Sequence, residues 1–148
     1  MARDTTFDYA RALLRLGVLL FLFGLFTGFA VPMLAMPRMA LASHLEGLMN
    51  GLLLMALGLM WPRLVLGPRA QALTFALAVY GAFANWLATL ISAITCAGAM
   101  MPIAAAGRTG EAAPEAIVGF LLVSLSLAMV AACVLVLWGL RRAAATRG

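Results

Sequence analysis

The stretch SHLEGLMNGLLLMALGLMWPR, residues 43–63, decides how many times this chain can cross a bilayer. A crossing helix needs about 20 apolar residues to span a core of roughly 30 Å. The uncharged run 47–62 is too short for that unless the helix begins near Ser43. Ser43 and Glu46 have the S-x-x-E form of a capping box, in which hydroxyl and carboxylate satisfy the free amides of a helix start. A helix from there is about 19 residues, or roughly 28 Å, long. It closes on Trp61-Pro62-Arg63, an interfacial aromatic, a helix stop and a charge.

The rest of the chain has the same character. Of 148 residues, 66% are hydrophobic and 10% charged, with a mean hydropathy of +1.09. A soluble domain carries about 25% charged residues, so the composition indicates an integral membrane protein. All ten positive charges are Arg and the formal net charge is +5. These arginines stand between or beyond apolar runs, where they orient helices, and no nucleic-acid surface is expected. Cys96 and Cys133 lie in separate apolar segments with neither a CxxC nor a CxxCH pattern, which argues against zinc, thioredoxin chemistry and covalent haem. Met33, Met36 and Met39 straddle Pro37 and read as apolar filler rather than a copper site.

The remaining uncharged spans are 16–37, 70–107 and 116–140. They place helices at about 9–32, 43–62, 70–98 and 114–141, in a single membrane domain over 1–148. Arg11 and Arg15 precede the first apolar run, which is too long for a signal peptide and reads as an uncleaved anchor. The third span breaks around Gly98 to Pro102, leaving a loop of small residues, AMMPIAAAGRTGEAAPE. The fourth helix begins near Pro114-Glu115, where proline is tolerated and an acid complements the helix dipole. The expected fold is therefore all-α and integral to the membrane, a compact bundle of four transmembrane helices. Arginines at 3, 11, 15, 63, 69, 141, 142 and 147 fall on one side and Arg38 and Arg108 on the other, eight against two. The positive-inside rule then puts both the N and C termini in the cytoplasm, for a multi-pass protein of a bacterial-type inner (plasma) membrane. No internal repeat of the transporter kind is evident.

Few residues can carry chemistry. His44 is the only histidine, and at about 100° per residue Gly47, Gly51 and Met55 fall within about 60° of it. That stripe, without side-chain bulk over two turns, either admits a neighbouring helix or lets a flat cofactor lie on backbone with His44 as axial ligand. Asn50 lies about 120° from His44 on the same helix and must find a polar partner in hydrocarbon. The third helix carries Gly81, Asn85, Thr89, Ser92 and Cys96, spaced by four, four, three and four, a stripe expected to line an internal polar pocket. Gly24 and Gly28 form a GxxxG contact pattern, and Ser124 and Ser126 are expected to bond back to their own helix. A nucleotide loop, paired histidines and a Ser-His-acid set are all absent.

The runs PRMALASHLEGLMNGLLLMALGLMWPRL, YGAFANWLATL and AGAMMPIAA resemble the hydroxylaminobenzene mutase family of small membrane isomerases, over most of the chain from the first helix through the fourth. A histidine six residues before an asparagine-glycine is also similar to the pattern of styrene oxide isomerase, a four-helix membrane enzyme holding haem b between the subunits of a trimer. The resemblance implies that His44 ligates the iron of a non-covalent haem b, with Gly47 and Gly51 as the cofactor face, and that Asn50 holds a substrate oxygen. Asn85 matches an asparagine of that family, and Thr89 stands where it has a tyrosine acting at the substrate oxygen. The implied reaction converts an N-aryl hydroxylamine to an ortho-aminophenol, as in hydroxylaminobenzene to 2-aminophenol, with ferric haem as Lewis acid. In a metal-free alternative Glu46 shuttles the proton. The implied partners are a small aromatic hydroxylamine, membrane lipid and further copies of the chain, a homotrimer being favoured.

Three other functions compete. One is an epoxide isomerase on the same scaffold. Another is a small proton-coupled multidrug exporter built around the Glu46 carboxylate, which its place near a helix end disfavours. The third is a non-catalytic haem or structural subunit of a larger membrane complex.

Overall fold

The computed structural model describes residues 8–145, with side chains through residue 141. Four helices account for nearly all of it: α1 (Tyr9–Ala30), α2 (Pro37–Met60), α3 (Pro68–Thr95) and α4 (Ala112–Ala145). Each is long and apolar enough to cross a membrane, and the described residues contain no strand. Local signals explain the ends. The Asp8 carboxylate accepts from the Arg11 amide at 3.0 Å and caps α1. Pro37 and Pro68 open α2 and α3, where a missing N–H removes nothing from the ladder. Short 3-10 turns holding Pro32 and Pro62 follow α1 and α2. At the end of α3, Cys96 takes the left-handed conformation (φ 60°), and the Ser92 hydroxyl donates to the Ala97 carbonyl.

One expectation is overturned here. Helix α2 starts at Pro37, not Ser43, so Ser43 and Glu46 lie inside the helix and form no capping box. Pro37 and Ser43 both carry start signals, and the helix begins at the proline, whose missing N–H removes nothing from the first turn. The Ser43 hydroxyl instead donates to the Trp86 carbonyl of α3 at 3.1 Å. Helices α3 and α4 each begin two residues earlier than expected, and α3 ends three earlier, within the usual fraying of helix ends.

Glu115 does more than complement a helix dipole. Its carboxylate accepts from the amides of Gly98, Ala99 and Gly110, which closes the loop between α3 and α4 on itself. Arg108 of that loop donates to the Ala35 carbonyl between α1 and α2.

The helices pack in sequence: α1 on α2, α2 on α3, α3 on α4. Among the described residues, α4 makes no close backbone approach to α1 or to α2. Helix α1 also reaches α3, so α1, α2 and α3 pack together and α4 joins them through α3, with side chains and a crevice between α2 and α4. Two apolar clusters hold the helices together. One contains Leu13, Leu20, Leu54, Leu57 and Val136, and the other, at the opposite end, Met36, Met39, Ala40, Ala93 and Ala105. The outward faces are apolar as well, with Phe29 78% and Leu127 70% exposed, a surface suited to hydrocarbon rather than water. Of the orienting arginines, Arg3 and Arg147 lie outside the described residues, and only the backbone of Arg142 is described.

Candidate functional site

Between the two apolar clusters lies a layer of polar side chains on α1, α2 and α3. It includes Thr27, Ser43, Asn50 and Thr89, all buried, and the half-buried His44, Glu46 and Asn85. Helix α2 is the axis of this layer. Its histidine faces α1, whereas its acid and amide face α3.

On the α1 side the two backbones nearly touch. A Cβ placed on Gly47 would stand 2.5 Å from the Gly24 Cα, and one on Gly51 would stand 2.8 Å from both the Gly17 carbonyl oxygen and the Phe21 amide nitrogen. The glycine stripe of α2 is thus filled by α1, the first of the two uses left open for it. His44 lies beyond it, over Gly28, with Nδ1 2.8 Å from the Gly24 carbonyl oxygen. A carbonyl only accepts, so in the neutral ring Nδ1 carries the hydrogen and the Nε2 lone pair stays free. Leu25, Gly28, Phe29, Val31 and Leu41 border an apolar hollow of ≈ 350 Å³ at this histidine. Among the described residues no three His, Cys, Asp or Glu side chains gather to hold a bare metal ion.

On the α3 side the contact is between side chains. Glu46 Oε2 accepts from Asn50 Nδ2 at 2.9 Å and from Asn85 Nδ2 at 2.6 Å, and Asn50 Nδ2 also donates to the Glu46 main-chain carbonyl at 2.9 Å. The face that carries Glu46 and Asn50 continues, at helical spacing, through Leu53, Leu57 and Met60. These three, with Ala78 of α3 and Met129, Ala132 and Val136 of α4, line an apolar crevice of ≈ 310 Å³. A polar group on one turn and an apolar slot on the next can bind a ring with a polar substituent.

The expected polar stripe of α3 contributes only Asn85 to this group. Gly81 lies against Met129, the Thr89 hydroxyl donates to the carbonyls of Asn85 and Trp86 in its own helix, and Ser92 and Cys96 finish the helix end. Ser124 and Ser126 do bond back to α4 carbonyls, and Ser124 also meets the Tyr80 hydroxyl. The sequence reading missed Trp86. Its indole N–H donates to Thr27 Oγ1 at 3.1 Å, its ring stacks on Phe23 at 5.2 Å, and its carbonyl receives Ser43. A tryptophan in mid-span, away from either interface, was the available signal, since its N–H must find an acceptor in hydrocarbon.

Comparisons with known proteins agree on one kind of activity. The family described as styrene oxide isomerase matches residues 9–141. The hydroxylaminobenzene mutase HabB of Ectopseudomonas oleovorans is 59% identical over 145 residues, covering 97% of this chain and 88% of the relative. The hydroxylaminobenzene mutase HabA of the same organism is 46% identical over 127 residues, covering 85% and 94%. No solved structure gives a significant match.

Proposed function

The chain belongs to the styrene oxide isomerase family and is an isomerase of the mutase kind, and from that premise we propose that it converts N-aryl hydroxylamines of the hydroxylaminobenzene type to 2-aminophenols. The exporter and structural-subunit readings give way to this one. The reaction breaks the N–O bond and joins the oxygen to the neighbouring ring carbon, whose hydrogen leaves as a proton while nitrogen gains one. Atoms and electrons balance without an oxidant or a reductant.

The observation that carries the reading is the Glu46, Asn50 and Asn85 cluster, in which Asn50 stands one helical turn before Leu53 of the apolar crevice. An apolar cavity of about 150 Å³ is enough for benzene, so the crevice has room for a substituted ring. With the ring against Leu53, Leu57 and Ala78, its N–OH group lies towards the amides. The crevice walls offer only apolar side chains, which keeps water from the ring carbons where it would give other products.

In the same reading His44 would hold the iron of a non-covalent haem b. The free Nε2 and the apolar hollow beside it fit that group. When bound, ferric iron supplies Lewis acidity towards the substrate oxygen. The chain's part is to hold the imidazole still, through the Gly24 carbonyl and the close floor at Gly28. Because His44 faces α1 while Asn50 and Asn85 meet on the α3 side, one copy does not bring all of them together. The reading therefore includes a homo-oligomer, a trimer by family resemblance, in which one copy's His44 approaches another's amides. It sits in a bacterial-type plasma membrane with both termini cytoplasmic, where an apolar substrate arrives from the lipid.

The test is turnover by the protein purified in mild detergent from haem-supplemented cells. Hydroxylaminobenzene should give 2-aminophenol, and a Soret band should be present and disappear in His44→Ala. Turnover of styrene oxide alone would favour the epoxide reading that the family description supports. A folded protein that turns over neither compound overturns the proposal.

A further inference from the structure

Asn50 has its hydrogen-bonding direction fixed by its own helix. Its Nδ2 lies 2.9 Å from the Glu46 main-chain carbonyl oxygen and 2.9 Å from Glu46 Oε2. A carboxamide nitrogen carries two hydrogens, and both are engaged there. Turning the amide over would set Oδ1 against a main-chain carbonyl, which can never donate, so the opposite orientation is excluded whatever the charge on Glu46. Oδ1 is left with no protein partner, and although Asn50 is only 8% exposed, no buried side-chain oxygen among the described residues is both sealed in and unpaired. The free Oδ1 is therefore open to a ligand.

We infer that Asn50 recognises the substrate as a hydrogen-bond acceptor, taking the O–H or N–H of the hydroxylamine on Oδ1, with its amide held in this sense by the main-chain carbonyl of residue 46. The inference rests on the proposed hydroxylamine reading and deepens it. It reverses the role expected from family resemblance, in which the asparagine holds a substrate oxygen. An acceptor so placed is satisfied by a hydroxylamine and left unpaired by an epoxide, which has no hydrogen to give. Sites built for a substrate hydroxyl reject analogues lacking it more strongly than apolar pockets reject a missing methylene. Asn85 keeps one amide hydrogen beyond the one given to Glu46, so the donor to the substrate oxygen, where one is needed, is Asn85.

Benzyl alcohol and anisole are isomers that differ in whether the oxygen carries a hydrogen, and neither rearranges. Their binding to the haem-loaded protein in detergent is measured by thermal shift or calorimetry, independently of turnover. The quantity read is the ratio of their dissociation constants in native protein divided by that ratio in Asn50→Leu, which cancels partitioning into micelles. A preference for benzyl alcohol of about tenfold, or about 1.4 kcal/mol, is expected. Glu46→Gln guards against a misfolded Asn50→Leu. A glutamine there keeps the main-chain carbonyl that fixes the Asn50 amide and can still accept on Oε1, so the preference for benzyl alcohol should persist, and its loss would overturn the inference. Equal ratios in native protein and Asn50→Leu would also overturn it, and with 2-aminophenol still formed the mutase reading would survive. A clear preference in a protein that forms no 2-aminophenol would uphold donor recognition and overturn the reaction instead.

Discussion

The two seams of α2 are built on opposite principles. Against α1, glycines remove side chains so that backbones meet, and one imidazole is steadied by one carbonyl. Against α3, side chains remain and meet each other through a carboxylate and two amides. The difference follows from the medium. In hydrocarbon no hydrophobic force draws helices together, so affinity comes from close packing or from hydrogen bonds. The first seam uses packing and leaves its histidine free to bind outward; the second uses hydrogen bonds and leaves its amide oxygens free.

That contrast is broken most severely at Gly47. In Gly47→Val the first new carbon would stand 2.5 Å from the Gly24 Cα and 2.9 Å from its nitrogen, and backbone cannot step aside. Overpacking a tight site costs about 1–3 kcal/mol, occasionally more, and this position belongs at the upper end. The expected outcome is loss of monodisperse protein in detergent, read by gel filtration. A stable Gly47→Val variant would mean that α1 does not sit in the stripe.

Gly28→Ala sharpens the comparison with a smaller effect on the fold. Its new carbon meets the His44 ring, 2.6 Å from Nδ1, rather than backbone. A side chain can turn away, so the protein should fold while the imidazole loses its position. Reduced haem retention and activity with a nearly unchanged unfolding midpoint are expected, and unchanged activity would show that the ring's place is not critical. On the other seam, Asn85→Leu removes one of two donors to Glu46 Oε2. Oε2 is half-buried and keeps its bond from Asn50, so the loss is that of one hydrogen bond, about 1 kcal/mol. Thermal unfolding in detergent should fall accordingly.

How much of this was legible in the residues depends on how local each cause is. Four helices follow from four long apolar runs, because bilayer thickness sets a length that any sequence must meet. The His44, Gly47, Gly51 stripe and the close approach at Gly24 follow from helical periodicity alone. The start of α2 was not legible, since Pro37 and Ser43 are competing start signals and local rules do not rank them. Assigning Glu46 to a cap then hid its contact with Asn85, which lies 39 residues away. Nor does periodicity say which helix a polar stripe meets. Thr89 and Ser92 share a face with Asn85 yet bond within α3 and its end, and which helices become neighbours is something no spacing encodes.

The smallest effect is expected at the residue that joins the two seams. Trp86 reaches from α3 to the edge of the glycine stripe, with its ring on Phe23 and its indole N–H on Thr27, both of α1, while its carbonyl holds Ser43 of α2. A Cβ on Gly47 would also stand 3.1 Å from the Trp86 ring, so the indole packs directly over the point where α1 and α2 meet. Trp86→Phe keeps a stacking ring and the main-chain carbonyl and deletes only the N–H donor. Hydrogen bonds between membrane helices average about 0.6 kcal/mol, and Thr27 keeps its own bond to the Phe23 carbonyl at 2.9 Å. The unfolding midpoint should therefore move little, and Thr27→Val in the same background should add almost nothing. A loss several times larger, shared by both single variants and not increased in the double, would mean that the bond between Trp86 and Thr27 couples the two seams and that α1, α2 and α3 separate as one unit rather than seam by seam.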